Sequence, residues 1–103
     1  MPIPLACDMS AIPAAERQAH NDLTRHLMAA ANAIQDLPDG LALRLPAETY
    51  DAVSRFVEYE RRCCPFLTFS LTVAANRGPL ELHLTGPEGV TAFLRAELRL
   101  PAA

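Results

Sequence analysis

Residues 60–66, Glu-Arg-Arg-Cys-Cys-Pro-Phe, are the point at which the apolar rhythm of the chain changes. Upstream, Tyr50, Val53, Phe56 and Val57 recur at helical spacing. Downstream, Leu67, Phe69, Leu71 and Val73 alternate with Thr68, Ser70 and Thr72, which is the period of a strand with one buried face. Pro65 disfavours helical geometry in the residue before it, so the helix stops at Cys63 or Cys64. A helix must therefore hand over to a strand within a few residues, and two adjacent thiols stand at the corner.

The other elements follow from the same periodicities. After a lead-in with Pro2, Pro4 and Pro13, the residues Leu23, Leu27, Ala30, Ile34 and Leu37 form one stripe at steps of four, three, four and three. That spacing predicts a helix opened by Pro13 and ended by the turn residues of Leu37-Pro38-Asp39-Gly40. Leu41, Leu43 and Leu45 alternate with Ala42 and Arg44 in a short strand ended by Pro46. Leu80, Leu82 and Leu84 alternate with Glu81, His83 and Thr85, and the loop through Asn76 and Gly78 joins this run to the preceding one as an antiparallel hairpin. Gly86 and Pro87 open a last helix, with Val90, Phe93, Leu94 and Leu98 as its buried stripe.

The expected order is α-β-α-β-β-α in a single domain over residues 1–103, with an irregular lead-in at 1–12 that carries Cys7 and a tail at 99–103. Clean alternation in every strand implies a sheet with one apolar and one polar face. The expectation is a two-layer α+β fold: a three-stranded mixed sheet with its helices on one face. The first two strands flank a helix as a crossover unit and are expected to be parallel. The polar face, with Arg44, Thr68, Ser70, Thr72, Glu81 and His83, is either solvated or packed on a second copy in a homodimer.

Composition narrows the function classes. The net charge is −3, and all nine basic residues are arginines with no basic stripe among them, which argues against direct nucleic-acid binding. No apolar run reaches bilayer length. The first residues lack a positive segment followed by an apolar one, so the expected location is cytoplasmic. Three cysteines are an odd count, unlike the paired sets of secreted disulfide scaffolds. Reduced thiols fit better, as metal ligands, reactive groups or core residues.

Cys63 and Cys64 can face one ion only if the backbone is non-helical at the corner, as Pro65 encourages; Phe66 anchors that corner. Cys7 supplies a third sulfur if the lead-in folds back. Three thiolates suit a soft ion, namely Hg(II), Cu(I), Zn(II) or an arsenic species. Arg61 and Arg62 would offset the thiolate charge, while the helix C-terminus and burial oppose it. Glu60 reads as a helix-end carboxylate paired with a nearby arginine. His20, His26 and His83 read as surface or rim groups. Against the metal reading stands a bland one, because free cysteines are often plain core filler.

The stretch Glu60–Leu71, followed by residues 80–94, resembles a family of small bacterial proteins of unassigned activity with an Glu-Arg-x-Cys-Cys-Pro-Phe motif. Similar modules are C-terminal extensions of MerR-type heavy-metal regulators. The resemblance includes Cys7, Cys63 and Cys64, and implies a part in heavy-metal handling or resistance; the enzymatic reading ranks lower because the sequence offers no evident base beside the thiols. The leading expectation is thus a thiol protein that sequesters or senses a soft metal or metalloid through Cys7, Cys63 and Cys64. The alternatives are a thiol-dependent redox or transferase enzyme, and a structural or interaction module with buried cysteines.

Overall fold

The computed structural model describes residues 5–101. The expected lead-in and tail therefore fall partly outside the described residues, at positions 1–4 and 102–103. The helices are α1 (Ala14–Ala30), α2 (Tyr50–Cys63) and α3 (Val90–Glu97). The strands are β1 (Ala33–Leu37), β2 (Gly40–Leu45), β3 (Thr68–Val73) and β4 (Leu80–Thr85). Short 3-10 turns at Met9–Ala11 and Ala47–Thr49 precede α1 and α2. No helix among the described residues is long and apolar enough to cross a membrane.

The α+β class holds, but the three-stranded mixed sheet does not. The sheet has four strands in the order β1-β2-β4-β3, and every neighbouring pair is antiparallel. The extra strand comes from the end of the expected first helix. Ile34 and Leu37 continue the helical spacing, yet they lie on β1 and pair with Leu43 and Gly40. The chain turns between Leu37 and Gly40 through Pro38 and Asp39 alone, a two-residue hairpin loop. Pairing with β1 satisfies the outer edge of β2, which a longer helix would leave open.

Gly40 is required at this turn by close approach: a Cβ there would collide with the carbonyl of Leu84 on β4. The hydroxyl of Thr91 in α3 faces the carbonyl oxygens of Leu37 and Gly40 at 2.8 and 3.0 Å, tying the hairpin to the last helix.

β2 and β3 run in the same direction, but β4 lies between them, so they never pair. The segment β2-α2-β3 is thus a split crossover, with β4 inserted into the gap. Register lines up Ile34, Leu43, Leu82 and Leu71 across one face, with Leu41, Leu84 and Phe69 in the next row. Leu27 of α1, Val53 and Phe56 of α2, and Val90, Leu94 and Leu98 of α3 close over those rows in one core.

Coverage fades toward the β3 edge, where Val73 is 56% exposed. The loop after β3 places Asn76 and Arg77 both at φ 57°, the left-handed pair that a twisted two-residue hairpin turn needs. α3 begins later than expected, at Val90, because Gly89 takes a left-handed conformation (φ 88°) before the helix starts.

Candidate metal centre

The corner after α2 behaves as Pro65 dictates. Cys63 is the last helical residue, and Cys64 leaves helical geometry at φ −122°, ψ 74° while its N–H still donates to the Glu60 carbonyl at 2.8 Å. Leu67 N–H then donates to the Cys64 carbonyl at 3.2 Å, closing a turn through Pro65 and Phe66. Phe66 packs edge-on against Phe93 of α3, with ring centres 5.4 Å apart, so the corner is held from both sides.

The lead-in folds back over this corner. Asp8 N–H donates to the Cys63 carbonyl at 2.7 Å, an orphan acceptor at the helix end. The Asp8 carboxylate accepts from Ser10 N–H at 3.0 Å and caps the short turn at Met9–Ala11. Arg17 in α1 points its Nε–H at the carbonyls of Met9 and Ile12, each at 3.0 Å. Ile12, fully buried, packs with Cys63 and Cys64, and Cys7, Met9, Tyr59, Phe66 and Leu67 surround them. These contacts carry Cys7 to the corner.

All three sulfurs therefore meet. Cys7 and Cys64 are joined in a disulfide with Cα atoms 4.7 Å apart, and Cys63 is a free, buried thiol. The expectation of three reduced thiols is corrected on this point: two of them are bonded to each other, because the lead-in brings Cys7 within bonding geometry of Cys64. The Cys63 sulfur lies 3.8 Å from that of Cys64 and 3.9 Å from Glu60 Oε2. One donor atom from each of Cys7, Glu60, Cys63 and Cys64 lies within 4.8 Å of all the others, a cluster that could hold a metal ion.

The electrostatics are those of a shielded acidic pocket. The Cys63 thiol is pushed up to about 12, first by burial and next by the Glu60 carboxylate, with a smaller push from Glu97. Neither of the flanking arginines reaches the sulfurs. Arg62 donates to Glu58 at 3.1 Å one turn back and lies over the Tyr59 ring at 5.9 Å. Arg61 is exposed and lines a shallow depression with Val57, Pro65, Leu67 and Phe69. Side chains at successive helical positions diverge by about 100°, so residues 61 and 62 face away from the face that carries 60 and 63.

Glu60 pairs with a histidine rather than with an arginine. Its Oε1 lies 3.0 Å from Nε2 of His20, and both residues are buried. The imidazole stacks on Phe56 and tilts against Tyr59, at centroid distances of 6.0 and 5.0 Å. Its Nδ1 is buried with no hydrogen-bond partner among the described residues. The contact with Oε1 calls for the hydrogen on Nε2, which then donates to the carboxylate.

His20 is the site residue that periodicity could have found. It precedes Leu23 by three and Leu27 by seven, so it sits on the apolar stripe of α1 and not on its rim. His26 is exposed, and His83 lies on the polar face of the sheet with its Nε2 3.1 Å from Glu81. Comparison of the chain with family models, curated proteins and solved structures returns no match.

Proposed function

We propose that the reduced protein binds a soft metal or metalloid ion at the α2 corner, with Cys7, Cys63 and Cys64 as thiolate ligands, and so sequesters or senses that ion. The observation that supports this most directly is the convergence of three sulfurs and one carboxylate oxygen within 4.8 Å. One sulfur pair already has the spacing of two ligands, while the bonded Cys7 and Cys64 sulfurs must part on reduction. A tetrahedral ion with metal–sulfur bonds of about 2.3 Å sets neighbouring sulfurs about 3.8 Å apart, and the Cys63 and Cys64 sulfurs lie 3.8 Å apart.

The disulfide makes this binding conditional. Closing the Cys7–Cys64 bond withdraws two of the three sulfur donors; opening it takes two electrons and two protons from an external dithiol, or two electrons from a phosphine and two protons from water, whose oxygen ends in the phosphine oxide. Coordination then replaces the thiol protons, including that of Cys63, so uptake releases protons and strengthens as pH rises. This agrees with the heavy-metal association implied by the resemblance of residues 60–71.

A thiol–disulfide exchange enzyme is the second reading, favoured by the free Cys63 thiol beside a disulfide. It is weaker, because the attacking group must be an accessible thiolate. Cys63 is 1% exposed and its thiol is pushed up to about 12.

Titration of the phosphine-reduced protein with Hg(II), followed by thiolate-to-metal charge-transfer absorption, tests the proposal. The expected result is saturation at one ion per chain, with no band from the oxidised protein. No band from the reduced protein, with all three thiols still titratable, would overturn it.

A further inference from the structure

Glu60 is an unusual member of the sulfur cluster. A carboxylate 6% exposed at the end of a helix is expensive to bury, and its partner is His20 rather than an arginine. The two oxygens are used differently. Oε1 accepts from His20, while Oε2 faces the Cys63 sulfur at 3.9 Å. Of the two rings against the imidazole, Phe56 has no donor and the Tyr59 hydroxyl is given to Glu16 at 3.0 Å, so neither replaces it as the donor to Oε1.

Resting on the metal-binding reading above, we propose that Glu60 is the fourth ligand of the site and His20 the residue that positions it. The centre is then three sulfurs and one oxygen around a four-coordinate thiophilic divalent cation of the zinc–cadmium class. Ligating carboxylates are normally held by an outer hydrogen bond, which leaves one oxygen free for the metal. Here that bond comes from α1, across 40 residues of sequence, to the last turn of α2.

The donor set separates classes of ion. Cu(I) prefers soft sulfur donors alone, and trivalent arsenic completes its shell with three sulfurs and a lone pair. A buried carboxylate adds nothing for either. A divalent ion gains a fourth bond from the same group and so completes a tetrahedral shell.

The test compares Cd(II) with arsenite on the reduced full-length protein. Glu60→Gln and His20→Phe are each expected to weaken Cd(II) binding about 10–100-fold and to leave arsenite affinity unchanged. His20→Gln, whose amide can still donate to Oε1, is expected to recover most of the Cd(II) affinity. Equal losses for both ions, or none for Cd(II), would overturn the role of Glu60.

A readout without substitution covers variants that do not fold. Infrared difference spectra of the wild-type protein should show a carboxylate band shifting when Cd(II) binds, and the absence of a shift would overturn the proposal. Failure of the wild-type protein to give any cadmium–thiolate absorption would instead sink the metal-binding reading itself, so the two failures are distinguishable.

Discussion

The sulfurs of Cys63 and Cys64 lie 3.8 Å apart although their residues are consecutive. Consecutive side chains on a helix point about 100° apart. The two converge because Cys63 closes α2 while Cys64 has already turned out to φ −122° ahead of Pro65. The corner, and not the cysteine pair alone, makes the ligand geometry.

Replacing Pro65 therefore should damage the site without removing any donor. Pro65→Ala restores an N–H and relieves the steric bar on helical geometry at Cys64. Helix extension by one residue would swing the Cys64 sulfur away from Cys63. The expected outcome is a loss of Cd(II) affinity in the reduced protein of about tenfold, ~1.4 kcal/mol, measured by competition with a chromophoric chelator. Unchanged affinity would show that the turn is held by Phe66 alone.

The Cys7–Cys64 bond closes a loop with a sequence separation of 57. Cross-linking a loop of that size should stabilise the fold by about 2–4 kcal/mol. Urea unfolding of the oxidised protein and of Cys7→Ser should differ by that amount. Saturating Cd(II) should return part of the difference to the reduced wild type and little to the variant, because binding to the native state alone stabilises it.

Cys63 gives a pH dependence of definite sign. Its folded pKa is raised to about 12 from an ordinary value of 9.0. Below pH 9 the thiol is protonated in both states, and its contribution to stability is complete. Between pH 9 and 12 the unfolded chain sheds the proton first, so stability falls as pH rises. Oxidised Cys7–Cys64 protein should unfold at progressively lower urea over that window, and Cys63→Ala should flatten the decline. At pH 8 about one thiol in ten thousand is ionised, so a disulfide reagent should label the native protein far more slowly than the unfolded chain.

The His20–Glu60 pair should behave as a buried unit. His20→Ala leaves the carboxylate without its donor and should cost about 2 kcal/mol. Adding Glu60→Leu removes the stranded charge and should recover much of that loss. A double-mutant cycle by urea denaturation measures the coupling; additive effects would mean that the pair contributes nothing as a pair.

Away from the site, Arg77 pays for a left-handed conformation at φ 57° in the β3–β4 turn. Arg77→Gly should raise stability by about 1 kcal/mol and leave metal binding untouched. The shift in urea midpoint checks it.

Much of this architecture was legible in the chain. The end of α2 at Cys63, the alternation of β2, β3 and β4, and the apolar stripes of α2 and α3 are properties of neighbouring residues, although Tyr50, expected on the α2 stripe, is 48% exposed. β1 was not legible, because Ile34 and Leu37 satisfy helical spacing from Leu27 and Ala30, and only the partner strand β2 decides between the two periods. The direction of β2 relative to β3 could be read, but not the insertion of β4 between them, which depends on how the hairpin packs after α2 has crossed.

The site divides in the same way. The sequence by itself determined that two thiols occupy a proline-terminated corner and that a third lies in the lead-in. Only the tertiary structure decided that Cys7 reaches Cys64, that Glu60 turns to His20 and away from Arg61 and Arg62, and that Cys63 is left as the shielded free thiol. Local backbone preferences act over a few residues and are written in the order of the side chains. Contacts across 40 and 57 residues arise only when the helices close over the sheet and the lead-in is pinned to the end of α2.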